Sequence, residues 1–239
     1  MLTVAIAGAY VLLILISLFL DPKRRGGTQG YFIYKALLFS TLKMLIVIGL
    51  VVVFAILGRK ELAQVLGLSG FIMNWQGLGF GVLAAVGFVA IYVFWKVIAS
   101  RFKTERGETA NSGSRLVESL PRHWLPLIGT FGVISLEAGL LEEIFFRGIM
   151  QSHAAGYVMQ PLAVLICGFL FGIAHFYQSI SGIAGTSALG IWLGVMYAVT
   201  GNLVVPVIGH FLGDFACMML GARQIIGRNA ASDRDQRGY

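Results

Sequence analysis

Apolar residues fill this chain in blocks of about 20, without the period-2 alternation of half-buried strands. The blocks run Leu2 to Leu20, Tyr31 to Gly58, Gly77 to Ser100, Trp124 to Met150, Met159 to Tyr177, Ile183 to Thr200 and Leu203 to Gly221. Each is long enough to cross a hydrocarbon core of about 30 Å as a helix. Lipid tolerates only helices or closed barrels, because every backbone polar group needs an internal partner. With no alternating pattern to build a barrel, the expected fold is an all-α polytopic transmembrane helical bundle of about seven helices.

Composition agrees. The 239 residues are 57% hydrophobic and only 12% charged, with a mean hydropathy of +0.82, which excludes an ordinary soluble domain. The first block is not expected to be a cleaved signal: it lacks a basic n-region, and Lys23, Arg24 and Arg25 follow the apolar stretch. It reads as an anchor with the N-terminus outside.

Alternating seven helices from that start puts Lys23, Arg24, Arg25, Lys96, Arg101, Lys103, Arg106, Arg115, Arg122, Arg223, Arg228, Arg234 and Arg237 at the inner side, thirteen of the eighteen Lys and Arg. Arg59 and Lys60 stay outside, while Lys35, Lys43 and Arg147 fall within blocks. This bias fits the positive-inside rule with a cytoplasmic C-terminus. It also accounts for the net charge of +7 without nucleic acid, since the basic residues flank helices and form no patch interleaved with aromatics. Cys167 and Cys217 lie within apolar blocks, far from any Cys-x-x-Cys spacing, and read as packing residues.

The polar stretch Arg101 to His123 separates an N-terminal three-helix part (residues 1–100) from a four-helix part (124–221), followed by a polar tail (222–239) expected to fray. Lys35 and Lys43 read as snorkelling side chains. Glu61 to Trp75 reads as a short interfacial helix, and Gly190 with Gly194 as a small-xxx-small packing face.

The informative residues are the ionisable ones in the last four blocks: Glu137, Glu142, Glu143, Arg147, His175, His210 and Asp214. A charge at the centre of a membrane helix costs roughly 2.5 to 3.5 kcal/mol even on lenient scales, so these groups must face one another or water. Glu143 and Arg147 share a helix face and suit an ion pair, while Glu142 is turned about 100° away and is free for other work. Phe171 with His175, and His210 with Asp214, repeat the same spacing. Three helices thus aim carboxylate and imidazole at one cavity. Glu137 stands about 140° around the helix from Glu142 and reads as structural. His123 and His153 fall in loops and read as solvated.

EEIFFR (Glu142 to Arg147), FGIAH (Phe171 to His175) and HFLGD (His210 to Asp214), in this order on successive membrane helices, resemble the EExxxR, FxxxH and HxxxN/D motifs of the CPBP family of intramembrane proteases. That family includes type II CAAX prenyl endopeptidases and the bacterial Abi or bacteriocin-immunity proteins. The resemblance covers roughly Leu125 to Gly221. It implies a four-helix catalytic core and an endopeptidase that cuts a membrane-associated protein or peptide in the bilayer of a bacterial inner membrane. It further implies that Glu142 activates water, that His175 helps bind or activate that water, and that His210 and Asp214 stabilise the oxyanion or complete the site. Glu143 and Arg147 would be scaffold. Asp214 departs from the Asn of the prenyl endopeptidases, and an ionised Asp accepts but does not donate hydrogen bonds.

Two histidines and a carboxylate also make a ligand set for catalytic Zn²⁺, with Glu142, His175 and His210 as candidate ligands, although no HExxH occurs. The reading leans to metal-independent chemistry. Two other functions use the same charges: an ion-coupled transporter, disfavoured by the lack of an internal repeat, and a non-catalytic immunity or scaffold protein. A helix starting at Trp124 would carry Glu142 about 27 Å along it, so a shared site is expected to need a start near Gly129 or a tilt.

Overall fold

The computed structural model describes residues 45, 46, 49, 52, 53, 71–101, 124–175 and 180–237, and all regular structure among them is helical. Residues 45, 46, 49, 52 and 53 of the second apolar block are helical. The first block, Lys35, Lys43, residues 54–70 and the loop 102–123 lie outside the described residues.

Helix α1 is Trp75–Arg101 and α2 is Trp124–Glu137. The latter runs on through two π-helical segments, Ala138–Glu142 and Ile144–Gln151, to a closing turn at Ser152–Ala154. Helix α3 is Gln160–Ala174, opened by Pro161 where a missing N–H costs nothing. Helices α4 (Ile180–Thr200) and α5 (Val204–Arg237) follow.

Trp75–Arg101, Ser181–Thr200 and Val204–Arg223 are long and apolar enough to cross a membrane. Two boundaries differ from expectation. Helix α3 stops at Ala174, spanning only about 22 Å, and leaves His175 as its cap. Helix α5 continues to Arg237, so the tail expected to fray from Ala222 is helical for most of its length.

Small residues set the packing, as they do wherever lipid removes the hydrophobic drive between helices. Along α1 the buried positions Gly77, Gly81, Ala84, Ala85 and Phe88 recur on one face. They lie against α5 running in the same direction, Gly81 on Ile208, Gly209 on Ala84 and Gly213 on Phe88. The other faces of α1 expose Phe80, Val82, Leu83, Val86, Val93 and Phe94, the surface lipid would cover. Helices α3 and α4 pack antiparallel, with Gly168 against Ile191 and Gly172 against Ser187.

Helix α1 packs directly on both α4 and α5. Trp192 Nε1 on α4 donates to Ala84 O at 2.9 Å, and Trp95 Nε1 donates to Ser181 O at 2.7 Å. Ala84 and Phe88 share one core with Leu193, Met196, Val205 and Cys217. The α4–α5 connection turns at Gly201, whose φ of 61° suits glycine. Asn202 then caps Val204 N at 3.0 Å and exchanges two hydrogen bonds with the backbone of Ile72.

Candidate active site

The π-helical segments carry the charged motif. Five-residue hydrogen bonds replace the usual four, as where Ser152 N–H reaches Arg147 O, and such widened turns recur at functional sites. Helix α2 begins at Trp124, the start for which a shared site was expected to need a tilt, and Glu142 at the end of the first π-helical segment lies beside both imidazoles.

Glu143 is fully buried, and Arg147 Nη1 donates to its Oε1 at 2.7 Å. The same oxygen lies 2.7 Å from His210 Nδ1, while Glu143 Oε2 is buried with no hydrogen-bond partner. The second arm of Arg147 donates from Nη2 to Gly190 O on α4 at 2.7 Å. Its guanidinium also lies over the Phe171 ring at 4.9 Å. The guanidinium therefore joins two helices and spreads its charge over a carboxylate, a carbonyl and an aromatic face.

Glu142 points elsewhere, as its offset from Glu143 implied. Its Oε2 is 3.9 Å from His175 Nε2 and 4.0 Å from His210 Nε2, and has no hydrogen-bond partner of its own. Polar atoms at that separation are spaced for a bridging water. His175 Nδ1 lies 2.9 Å from Phe171 O. A carbonyl only accepts, so Nδ1 carries the proton, and in the neutral ring Nε2 presents its lone pair toward Glu142. His210 Nε2 is also 3.4 Å from Asp214 Oδ2. The exposures grade outward from Glu143 (0%) and His210 (4%) through Glu142 (13%) and His175 (15%) to Asp214 (27%).

All six sequence-predicted residues thus meet in one cluster. Glu142, His175 and His210 are neighbours, but among the described residues no group of three His, Cys, Asp or Glu side chains has the arrangement to hold a metal ion. Glu137 ends α2 half-buried, just before the first π segment. His153 is not in a loop: it sits in the closing turn with its ring 5.4 Å from that of Tyr157. Cys167 and Cys217 are buried free thiols.

Sequence reasoning missed Gln151, one step beyond Arg147 on the same seam. Gln151 is buried and its Nε2 donates to Gly194 O at 2.9 Å. Gly190 and Gly194 are therefore more than a packing face, since their carbonyls receive Arg147 and Gln151 in parallel. The signal was present as a second polar residue four after Arg147, opposite two glycines with the same spacing.

Residues 124–216 match the family model of type II CAAX prenyl endopeptidase Rce1-like proteins, the family to which the three motifs point. Together with the three long apolar helices, this match points to an integral membrane protein. The chain is also 31% identical over 90 residues to the uncharacterized protein YpbD of Bacillus subtilis (strain 168), covering 36% of this chain and 43% of that relative. The chain thus spans less than half the length of the curated relative it matches. No solved structure matches it.

Proposed function

Proceeding from the match of residues 124–216 to the type II CAAX prenyl endopeptidase family, we propose that this chain hydrolyses a peptide bond in a membrane-associated protein or peptide, using Glu142 to activate water without a metal. The observation that carries the reading is the unpartnered Oε2 of Glu142, held about equally far from two imidazole Nε2 atoms.

A water lodged among these three atoms gives a proton to Glu142 as its oxygen attacks the scissile carbonyl. His175 accepts a hydrogen bond from that water through Nε2 and orients it. His210 stands between Glu143 and Asp214, and in its protonated form it donates from both ring nitrogens. The Nε2 donor then turns to the developing oxyanion, where a preorganised charge contributes most. Collapse of the tetrahedral intermediate breaks the C–N bond, and Glu142 returns the proton to the leaving nitrogen. Asp214 fits the role of orienting His210, because a carboxylate cannot itself donate to the oxyanion. Glu143 and Arg147 hold His210 and the helix.

Mass spectrometry of membrane-protein termini from cells carrying the wild-type chain or Glu142→Gln tests this. Termini that vanish with Glu142→Gln and also with His175→Ala are expected, with both variants inserted in the membrane. Unchanged termini in either variant would defeat the assignment.

A further inference from the structure

The region matched to the family begins at residue 124, yet one wall of the site comes from α1, outside that region. Phe88 is 3% exposed, and its ring lies stacked on that of His210, with centroids 5.6 Å apart and planes inclined by 26°. Phe171 meets the same imidazole edge-on, at 5.7 Å and 71°. The imidazole is thus held on one face by Phe88, edge-on with Phe171, at Nδ1 by Glu143 Oε1 at 2.7 Å, and more loosely at Nε2, 3.4 Å from Asp214 Oδ2.

These contacts do different things. The χ2 torsion of a histidine is broad, with no sharply defined well to set the ring plane. One hydrogen bond at Nδ1 fixes where that nitrogen sits but lets the ring pivot about the bond, which swings Nε2 relative to Glu142 and Asp214. A flat hydrophobic surface against the face of the ring removes that pivot, and offset aromatic pairs in this distance range prefer defined orientations. Gly213 shows that the fold makes room for this contact. A Cβ there would come within 2.6 Å of Phe88 Cγ, so only glycine lets the phenyl ring lie against α5 beside His210 and Asp214. Ala84, one turn earlier on α1, is locked to α4 by Trp192, which fixes the position of the helix carrying Phe88.

We infer that Phe88 is a positioning residue: from a helix outside the family match, it sets the plane of the His210 imidazole so that Nε2 stays aimed at Glu142 and Asp214. The inference rests on the reading of His210 as part of the catalytic cluster. Displacement of a reacting group by about 1 Å costs up to about 100-fold in rate. A freed imidazole that spends most of its time misaligned should lose about tenfold by the same reasoning.

The test uses the full chain labelled with ¹⁵N-histidine in detergent micelles, with the His210 signals assigned by their loss in His210→Gln. In the wild type, His210 should give one set of ring signals with a slowly exchanging Nδ1 proton bonded to Glu143. Phe88→Leu keeps the apolar volume and removes the flat face, and it should broaden or split those signals and speed exchange of that proton. Phe88→Tyr keeps the ring and should preserve them. Should Phe88→Leu not be recovered folded, Phe88→Met takes its place. The rate at which substrate termini appear should fall about tenfold in Phe88→Leu and recover in Phe88→Tyr. His210 signals in Phe88→Leu identical to wild type would overturn the inference. Persistence of the same termini in Glu142→Gln would overturn the proposed function instead, and the ring signals would still decide the role of Phe88 independently.

Discussion

Arg147 Nη2 donates to the carbonyl of Gly190 at 2.7 Å while Nη1 of the same guanidinium donates to Glu143. This fork requires arginine, because lysine ends in a single point charge and cannot reach both acceptors in fixed directions. Removing one partner of a buried pair leaves the other uncompensated and costs about 3–5 kcal/mol. Arg147→Met should therefore lower the unfolding midpoint in detergent by far more than Glu143→Gln combined with Arg147→Met, in which no bare carboxylate remains. Equal midpoints for the single and double variants would show that the pair is not coupled.

Gly168 and Gly172 make a second prediction about the same bundle. A Cβ at Gly172 would meet Ile183 O at 2.6 Å, and one at Gly168 would meet Ile191 N at 2.8 Å, backbone atoms that cannot move aside. Gly132 has nothing within 4 Å. Gly172→Ala and Gly168→Ala should each loosen α3 from α4, lowering the thermal midpoint of the purified protein. Gly132→Ala should leave it unchanged or raise it, by up to about 1 kcal/mol of helix propensity.

Much of this site was legible as sequence because burying charge in a membrane is expensive. The cost forces Glu142, Glu143, Arg147, His175, His210 and Asp214 to face one another or water, and helical spacing says which can share a face. The π turns were not legible, since helical spacing does not announce them, and Gly139 in the first of them packs on the α5 backbone at Phe211, a tertiary contact. Nor was Phe88. One phenylalanine in a block of apolar residues carries no mark of its neighbour until α1 and α5 are seen side by side. Gln151 lay between these cases, polar and correctly spaced but outside every motif.

Asn202 joins the connection before α5 to the segment before α1 through both its amide groups, at 3.1 Å from Ile72 N and 2.8 Å to Ile72 O. It also caps α5. Asn202→Ala should cost about 1–2 kcal/mol from the cap alone, read as a lower thermal midpoint. Asn202→Asp keeps the cap acceptor but loses the donor to Ile72 O, and should fall between wild type and the alanine variant. An alanine variant as stable as wild type would mean that water replaces all three bonds.

Asp214 offers a discriminating substitution because its two candidate roles require different chemistry. As an acceptor at 3.4 Å from His210 Nε2 it orients the ring; as an oxyanion donor it would need a proton. Asn supplies an oxygen for the first role and an N–H for the second. Asp214→Asn should therefore keep cleavage within about tenfold, and Asp214→Ala should lose about 100-fold or more, in line with removal of a preorganised group. Full activity in Asp214→Ala, measured by the same terminal mass spectrometry, would remove Asp214 from the site.

The spacing of the three candidate ligands gives the metal-free proposal its test. Ligands at about 2.0–2.2 Å from a tetrahedral Zn²⁺ stand roughly 3.4 Å apart, whereas Glu142 Oε2 is 3.9 Å and 4.0 Å from the two imidazole nitrogens. Binding an ion would shorten each of these separations by about half an ångström, against the contacts Phe171 O makes at His175 and Glu143 makes at His210. A water needs no such contraction. Cleavage should therefore persist within about twofold in 1,10-phenanthroline, and the purified chain should hold far less than one equivalent of zinc. Loss of activity in the chelator that added Zn²⁺ restores, together with stoichiometric zinc lost in His175→Ala, would replace the glutamate mechanism with a metal-based one at the same three residues.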